Sequence, residues 1–244
     1  MPAGLVRPIE ALLADLTSIF GPRLRSLVAY GAGLEAAAGR ATPSAGLALN
    51  TLALVDALTC DDLYACAGRA GRWRRDGLAM PLLLGREDFA RSLDVFPFEY
   101  GDIIARHIVL TGPDPFAGIA VRAEDLRRAC EAQAKSHLIH LREGYLEAEG
   151  HPPEVANLLL ASAAPLAVLL GHVARLRGED GSTLDAVAAA VGAIDGVSGQ
   201  VVRDVLRLLH HPVIANDEAV RLFPAYLDTV VGLVAYLDSW KHTS

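Results

Sequence analysis

Two carboxylates placed two residues apart on a β-strand are a specific pattern for binding divalent cations, because both side chains project from the same face. In this chain of 244 residues, acidic residues stand two apart only at Glu147 and Glu149. That pair falls at the end of a predicted long helix, where residues two apart point to different sides. The sequence therefore predicts no carboxylate clamp for metal ions at this spacing.

A second set of potential metal ligands is His137, His140 and Glu143, which follow one another at intervals of three. Neighbouring members could meet a metal ion from one helix face. Each step turns by about 60° from alignment, however, so the three side chains converge poorly. We interpret them as polar residues that flank the apolar stripe of a helix, and we predict no metal site.

Arg203 and His210 are separated by six residues, a spacing similar to the Arg-x4-6-His signature of HEPN ribonucleases. The histidine and arginine content of the chain gives about two such matches by chance. The spacing therefore does not indicate a ribonuclease. We expect both side chains to lie on a solvated helix face.

One basic cluster contains an aromatic residue and could bind phosphate or stack on a base. Its members are Arg69, Arg72, Trp73, Arg74 and Arg75. A helical stripe through Cys66 and Trp73 points the indole inward and leaves the arginines at an exposed helix end, where cations suit the helix dipole. We therefore expect a structural role for this cluster.

The elements that position these residues alternate between helix and strand in the first half of the chain. A helix is expected from Pro8, followed by strands at 24–30 and 47–56, a helix that opens at Asp61, and a strand at 78–84. The second strand is apolar on both alternating faces, which is typical of a central strand covered on both sides.

The first two strands carry a resemblance to a known family. Residues 27–32 read Leu-Val-Ala-Tyr-Gly-Ala, and after a Gly- and Ala-rich link residues 47–55 read Leu-Ala-Leu-Asn-Thr-Leu-Ala-Leu-Val. This order resembles the DNA-polymerase-β-like nucleotidyltransferases, in which one strand ends in Gly-Ser and the next carries Asp-x-Asp. Later runs that look like the same family stand at residues 81–84, 92–99 and 107–112. The resemblance covers roughly residues 20–150 and implies a degenerate bacterial member with a helical C-terminal region.

The resemblance also implies what the family's site does: the Gly-Ser turn holds nucleotide phosphates, and the paired aspartates hold two magnesium ions for in-line attack. On this alignment the serine position is Ala32, and the aspartate positions are Ala48 and Asn50. All three positions lack the family's groups, so no catalytic residue is predicted. Gly31, Ala32 and Asn50 remain as candidates for binding a nucleotide, because backbone N–H groups bind anions without any side chain.

The predicted domain boundary is the sequence His151-Pro152-Pro153. Residues 1–150 are expected to form an α+β nucleotidyltransferase-like domain, with a mixed sheet, flanking helices and a long helix at about 123–149. Residues 151–244 show helical periodicity almost throughout, which predicts an all-α helical bundle.

Composition excludes several functional classes. The chain has 22 basic and 29 acidic residues, a net charge of −7, which argues against non-specific nucleic-acid binding. Its three cysteines form no Cys-x-x-Cys pair and predict neither a zinc site nor a disulfide framework. Glu10 and Asp15 interrupt the stretch where an export signal would be apolar, and the apolar run at 155–171 is short for a membrane span. We expect a cytoplasmic protein that does not enter the membrane.

These observations favour a nucleotidyltransferase-like protein that has lost catalysis, needs no cofactor, and acts by binding a protein partner or itself, with weak or absent nucleotide binding. One alternative is an active nucleotidyltransferase that holds Mg²⁺ on the divergent carboxylates Asp56, Asp94 or Glu99. It requires two of these carboxylates close to Gly31. A second alternative makes the helical part an interaction module with the N-terminal domain as its scaffold, which an exposed apolar patch would favour.

Overall fold

The computed structural model describes residues 3–31, 34, 48–179, 181 and 183–240. Contacts between Cα atoms divide the chain into two compact units, Met1–Val121 and Arg122–Ser244. We describe each unit by itself.

The first unit alternates helices and strands, as the periodicity predicts. Its described elements are α1 (Ala3–Phe20), a 3-10 turn (Gly21–Arg23), β1 (Leu24–Tyr30), β2 (Asn50–Val55), α2 (Cys60–Arg75), β3 (Leu82–Gly85), α3 (Arg86–Ser92), α4 (Pro97–Ala105) and β4 (His107–Thr111). Helix α1 starts at Ala3, before the predicted start at Pro8, so the proline lies inside the helix. Helix α2 begins with a capping box, in which the Asp62 N–H donates to Thr59 Oγ1 (3.2 Å) and the Thr59 N–H donates to Asp62 Oδ2 (3.0 Å).

The four strands form one mixed sheet in the order β3-β2-β1-β4. Strand β1 pairs antiparallel with β2 and with β4, whereas β2 and β3 are parallel. The β1–β2 register places Tyr30 opposite Asn50 at one end and Leu24 opposite Val55 at the other. Five of the six residues of β2 are buried, which confirms the prediction that the second strand is a central strand covered on both sides.

Alternation along the central strands produces a separate core on each face of the sheet. One core contains Leu27 and Ala53 with the apolar side of α1 and with Trp73 of α2. The other contains Val28 and Leu52 with aromatic and aliphatic residues from the segment that follows β3; these are Phe89, Tyr100, Ile103 and Phe116. Helices therefore cover the sheet on both sides, as expected for the α+β class.

The second unit is helical throughout its described elements. These are α5 (Ala123–Glu147), α6 (Pro152–Leu176), α7 (Leu184–Gly192), α8 (Gly199–Arg207) and α9 (Asn216–Ser239). The long helix α5 packs against α6 and α9. For this reason the division falls between Val121 and Arg122 and not at the predicted boundary of 150/151. The α5 stripe faces the helical unit through side chains such as Leu138 and Leu141, which are buried.

Helices α6 and α9 pack together around buried leucines and aromatics, including Leu166, Tyr226 and Leu233. By length and composition alone, both helices could cross a membrane. In the apolar 18-residue stretch of each, 50% of α6 and 33% of α9 is buried. Core helices of soluble proteins pass the same test. Pro224 lies inside α9, which continues past it as a single helix and is not split there.

Candidate functional site

The end of β1 and the start of β2 bring Gly31 and Asn50 together. Gly31 has a φ of +82°, a left-handed conformation that favours glycine, and its carbonyl accepts a hydrogen bond from the N–H of Leu34 (3.0 Å). A Cβ atom on Gly31 would lie 3.0 Å from Asn50 Nδ2. The turn and the amide thus form one site at one end of the sheet. Ala32 lies outside the described residues.

A row of three side chains crosses the sheet at this end. Tyr30 is in register with Asn50 on one side and with His107 of β4 on the other. Residues directly opposite one another in antiparallel strands project to the same face. The row therefore borders the core that contains Phe116, whose ring lies edge-on to the His107 ring at 4.8 Å. Burial raises the pKa of Tyr30, which keeps its phenol protonated at neutral pH.

Each ring nitrogen of His107 has an oxygen atom within hydrogen-bond distance. Nδ1 lies 3.1 Å from the carbonyl oxygen of Ile103, and Nε2 lies 3.2 Å from Asp114 Oδ1. Sequence reasoning missed Tyr30, His107 and Asp114 as neighbours of the turn. The missing information was that residues 107–111 form a strand that pairs with β1.

The divergent carboxylate Asp56 lies away from Gly31 and is paired with an arginine. Asp56 follows the far end of β2, about 20 Å along the strand from Asn50 at 3.3 Å per residue. It forms a bidentate pair with Arg25 (2.6 Å for both hydrogen bonds), which holds the pKa of Asp56 below its ordinary value. Asp94 and Glu99 are exposed, in the turn after α3 and in the first turn of α4.

The donor atoms at the Gly31 end do not fit a two-magnesium clamp, which depends on carboxylate oxygens. Ala48 has no donor, and Asn50 offers one neutral amide oxygen. In the part of the chain that the structure describes, no group of three or more His, Cys, Asp or Glu side chains is placed to hold a metal ion.

The histidines of the long helix take separate roles. His137 is buried, and its Nε2 lies 2.6 Å from the hydroxyl of Tyr226. His140 is exposed, with Nδ1 3.3 Å from Glu143 Oε2. His137, His140 and Glu143 thus do not converge on one point, as the sequence predicts. Burial, together with the nearby His140, lowers the pKa of His137 to about 4.

The basic cluster of α2 is organised around a buried carboxylate. Asp15 of α1 accepts hydrogen bonds from Arg69 Nη1 (2.8 Å), from Arg72 Nη2 and from the indole Nε1 of Trp73 (2.9 Å). Trp73 is only 2% exposed, which confirms the prediction that its ring points inward. Burial opposes ionisation of Asp15, but these hydrogen bonds and the charges of both arginines keep its pKa below the ordinary value. The cluster joins α1 to α2.

Comparison with known proteins supports the fold. No family model matches the chain, and no curated protein matches it. A solved structure of spectinomycin adenyltransferase AAD(9) from Enterococcus faecialis, with ATP and spectinomycin, is similar to it with a TM-score of 0.51 and 12% sequence identity. The similarity covers 92% of this chain and 98% of that one. The chain therefore has a nucleotidyltransferase-like α+β fold followed by a helical region, as the sequence predicts.

Proposed function

We propose that this protein is a nucleotidyltransferase-fold protein that has lost metal-dependent transfer and acts by binding. The observation that supports this most directly is the pairing of Gly31 with Asn50, because a neutral amide occupies the place beside the turn where the resemblance implies an aspartate. A neutral oxygen does not supply the charge that a magnesium ion requires.

Nucleotide binding at the turn is weak or absent under this proposal. The left-handed Gly31 turn offers backbone N–H groups for an anion, and Asn50 offers one amide. Without a metal clamp, an affinity near 1 mM, or about 4 kcal/mol, is the most that we expect. A protein partner is therefore the favoured target.

Self-association is one form that the partner takes in this proposal. The helical unit exposes several large apolar side chains, with exposed fractions of 75% for Leu146, 58% for Val168 and 82% for Val213. Exposed apolar surface favours association in water. Sedimentation at micromolar concentration tests this, and a strictly monomeric protein would remove self-association from the proposal.

A reducing compartment suits the three free cysteines, of which Cys60 is exposed and Cys66 and Cys130 are buried. Burial raises the pKa of Cys130 to about 12, which keeps that thiol protonated and unreactive. We accordingly propose a cytoplasmic location.

The decisive experiment is incubation with labelled nucleoside triphosphates, Mg²⁺ and candidate acceptors. We expect no transfer. Transfer that disappears with a chelator would overturn the proposal and favour an enzyme that uses Asp94 or Glu99. A thermal-shift series over the same triphosphates, with stabilisation that saturates at micromolar ligand, would instead establish a nucleotide sensor.

A further inference from the structure

A cleft of about 680 Å³ lies wholly within the helical unit, between α6, the start of α7 and the end of α8. This volume falls in the range of small-molecule sites. The cleft contains both Arg203 and His210, the two residues whose spacing alone indicated nothing. The fold thus places them at one site.

The described lining of the cleft is rich in cationic and N–H-donating groups. Arg203 and Arg207 of α8 contribute two guanidinium groups, and His210 and His211 contribute two imidazoles, against the single carboxylate of Asp185. The backbone N–H groups of both histidines donate to the carbonyl of Arg207 (3.1 and 3.0 Å). This turn places both histidines directly after the arginine-bearing helix α8.

Most of the arginine donors remain available for a ligand. A guanidinium has five N–H donors. Within the described residues, Arg203 uses one of them on Gln200 Oε1 (3.1 Å), and Arg207 uses one on Asp204 Oδ1 (3.1 Å). Asp204 also accepts from Gln200, so it neutralises Arg207 only in part and does not reach Arg203 within ion-pairing distance. The described lining therefore presents guanidinium N–H donors of Arg203 and Arg207 that no described residue accepts.

Part of the described lining of the cleft is apolar. It consists of Ala167 and Gly171 of α6 together with Leu206 and Leu209. A Cβ atom added to Gly171 would meet no atom within 4 Å, so no packing contact demands a glycine there. A glycine inside a helix costs about 0.5–1 kcal/mol relative to alanine, and here its effect is to leave the cleft open.

We propose that this cleft binds a small organic anion, with an apolar body against Ala167, Leu206 and Leu209 and a phosphate or carboxylate group held by Arg203 and Arg207. Arginine suits both anions because its fork of donors matches their oxygens. The proposal lies in the helical unit and does not depend on the loss of catalysis at Gly31.

The test uses 1-anilinonaphthalene-8-sulfonate, an aromatic anion that fluoresces in apolar sites, with the folded full chain. We expect a saturable signal that hexyl phosphate displaces and that hexanol at equal concentration does not. Arg203→Gln with Arg207→Gln should weaken probe binding at least about tenfold, since each loses a charged hydrogen-bond donor. Gly171→Leu should weaken the saturable signal by placing a side chain in the apolar part of the cleft.

Arg221→Gln is the matched control, because Arg221 is also an exposed arginine, pairs with Asp217 (3.1 Å) on α9, and is not part of the described cleft lining. It should bind the probe within about twofold of wild type. Equal unfolding midpoints of all variants without the probe establish that each is folded. Wild-type binding by the arginine pair variant or by Gly171→Leu, or displacement by hexanol as well as by hexyl phosphate, would overturn the proposal. A nucleotide response at Gly31 would be unchanged by these substitutions, so the two proposals fail separately.

Discussion

His137 Nε2 and the hydroxyl of Tyr226 lie 2.6 Å apart in the interior of the helical unit, and they connect α5 to α9. Their rings meet edge to face with centroids 6.1 Å apart. Burial raises the pKa of Tyr226 and lowers that of His137 to about 4, so both groups are neutral at pH 7. Because the folded state holds this imidazole neutral, the free energy of unfolding depends on pH.

The first prediction concerns acid sensitivity. The folded state keeps His137 neutral down to a pKa of about 4, whereas the unfolded chain takes up that proton near pH 6.5. Because the unfolded state binds more protons between these values, the contribution is full above pH 6.5 and is lost as pH falls. From pH 7 to pH 5 the free energy of unfolding should drop by about 2 kcal/mol on this account.

Urea unfolding at both pH values measures this drop. His137→Gln should remove it, and His140→Gln, at an exposed position of the same helix, should retain most of it, because burial is the larger cause of the lowered pKa of His137. An equal pH dependence in wild type and His137→Gln would contradict the assignment.

The second prediction concerns the buried carboxylate of α1. Asp15→Ala should lower the free energy of unfolding by about 3 kcal/mol, because it leaves the Trp73 indole without an acceptor and removes the partner of Arg69 and Arg72. Asp15→Asn should cost less, since its amide oxygen can still accept from the indole. The exposed Arg74→Gln is the control and should stay within about 0.5 kcal/mol of wild type.

The third prediction compares two glycines of the helical unit. A Cβ on Gly232 would overlap the carbonyl oxygen of Gly196 and lie 2.6 Å from its carbonyl carbon, whereas a Cβ on Gly171 would meet nothing. Gly232→Ala should therefore destabilise by about 1–3 kcal/mol, and Gly171→Ala should stabilise by about 0.5–1 kcal/mol. Thermal unfolding of both variants decides the signs, and equal effects would mean that the close approach of α9 to Gly196 is not rigid.

The sequence predicts the helices and strands of this protein better than it predicts which of them pack together. Strands β1 and β2 and helix α5 follow from apolar periodicity, which records which side of an element is buried. Periodicity does not record what covers that side. For this reason the sequence predicts α5 as part of the first domain, although the helix packs against α6 and α9.

The same limit applies to the site. The resemblance, and not the periodicity, singles out Gly31 and Asn50, and the antiparallel pairing of β1 with β2 brings them together. Other neighbours come from segments that are distant in the sequence, and no local pattern specifies such contacts. Examples are the pairing of His107 with Tyr30, of Asp15 with Trp73, and of Asp56 with Arg25. The shared cleft of Arg203 and His210 is likewise a property of the fold and not of their spacing.

The last prediction tests the alignment on which the proposed loss of catalysis depends. Ala48 and Asn50 are two residues apart on either side of Leu49, which bridges to Leu78, so extended backbone should direct both side chains to one face. Ala48→Asp with Asn50→Asp should therefore create a divalent cation site beside Gly31. Calorimetry with Mn²⁺ should show a single site near 1 mM, or about 4 kcal/mol. Asn50→Asp alone has one carboxylate and should bind at least about tenfold more weakly. No Mn²⁺ binding by the folded double variant would mean that these positions do not correspond to the family's aspartates, and the search for the lost site would have to move elsewhere in the first unit.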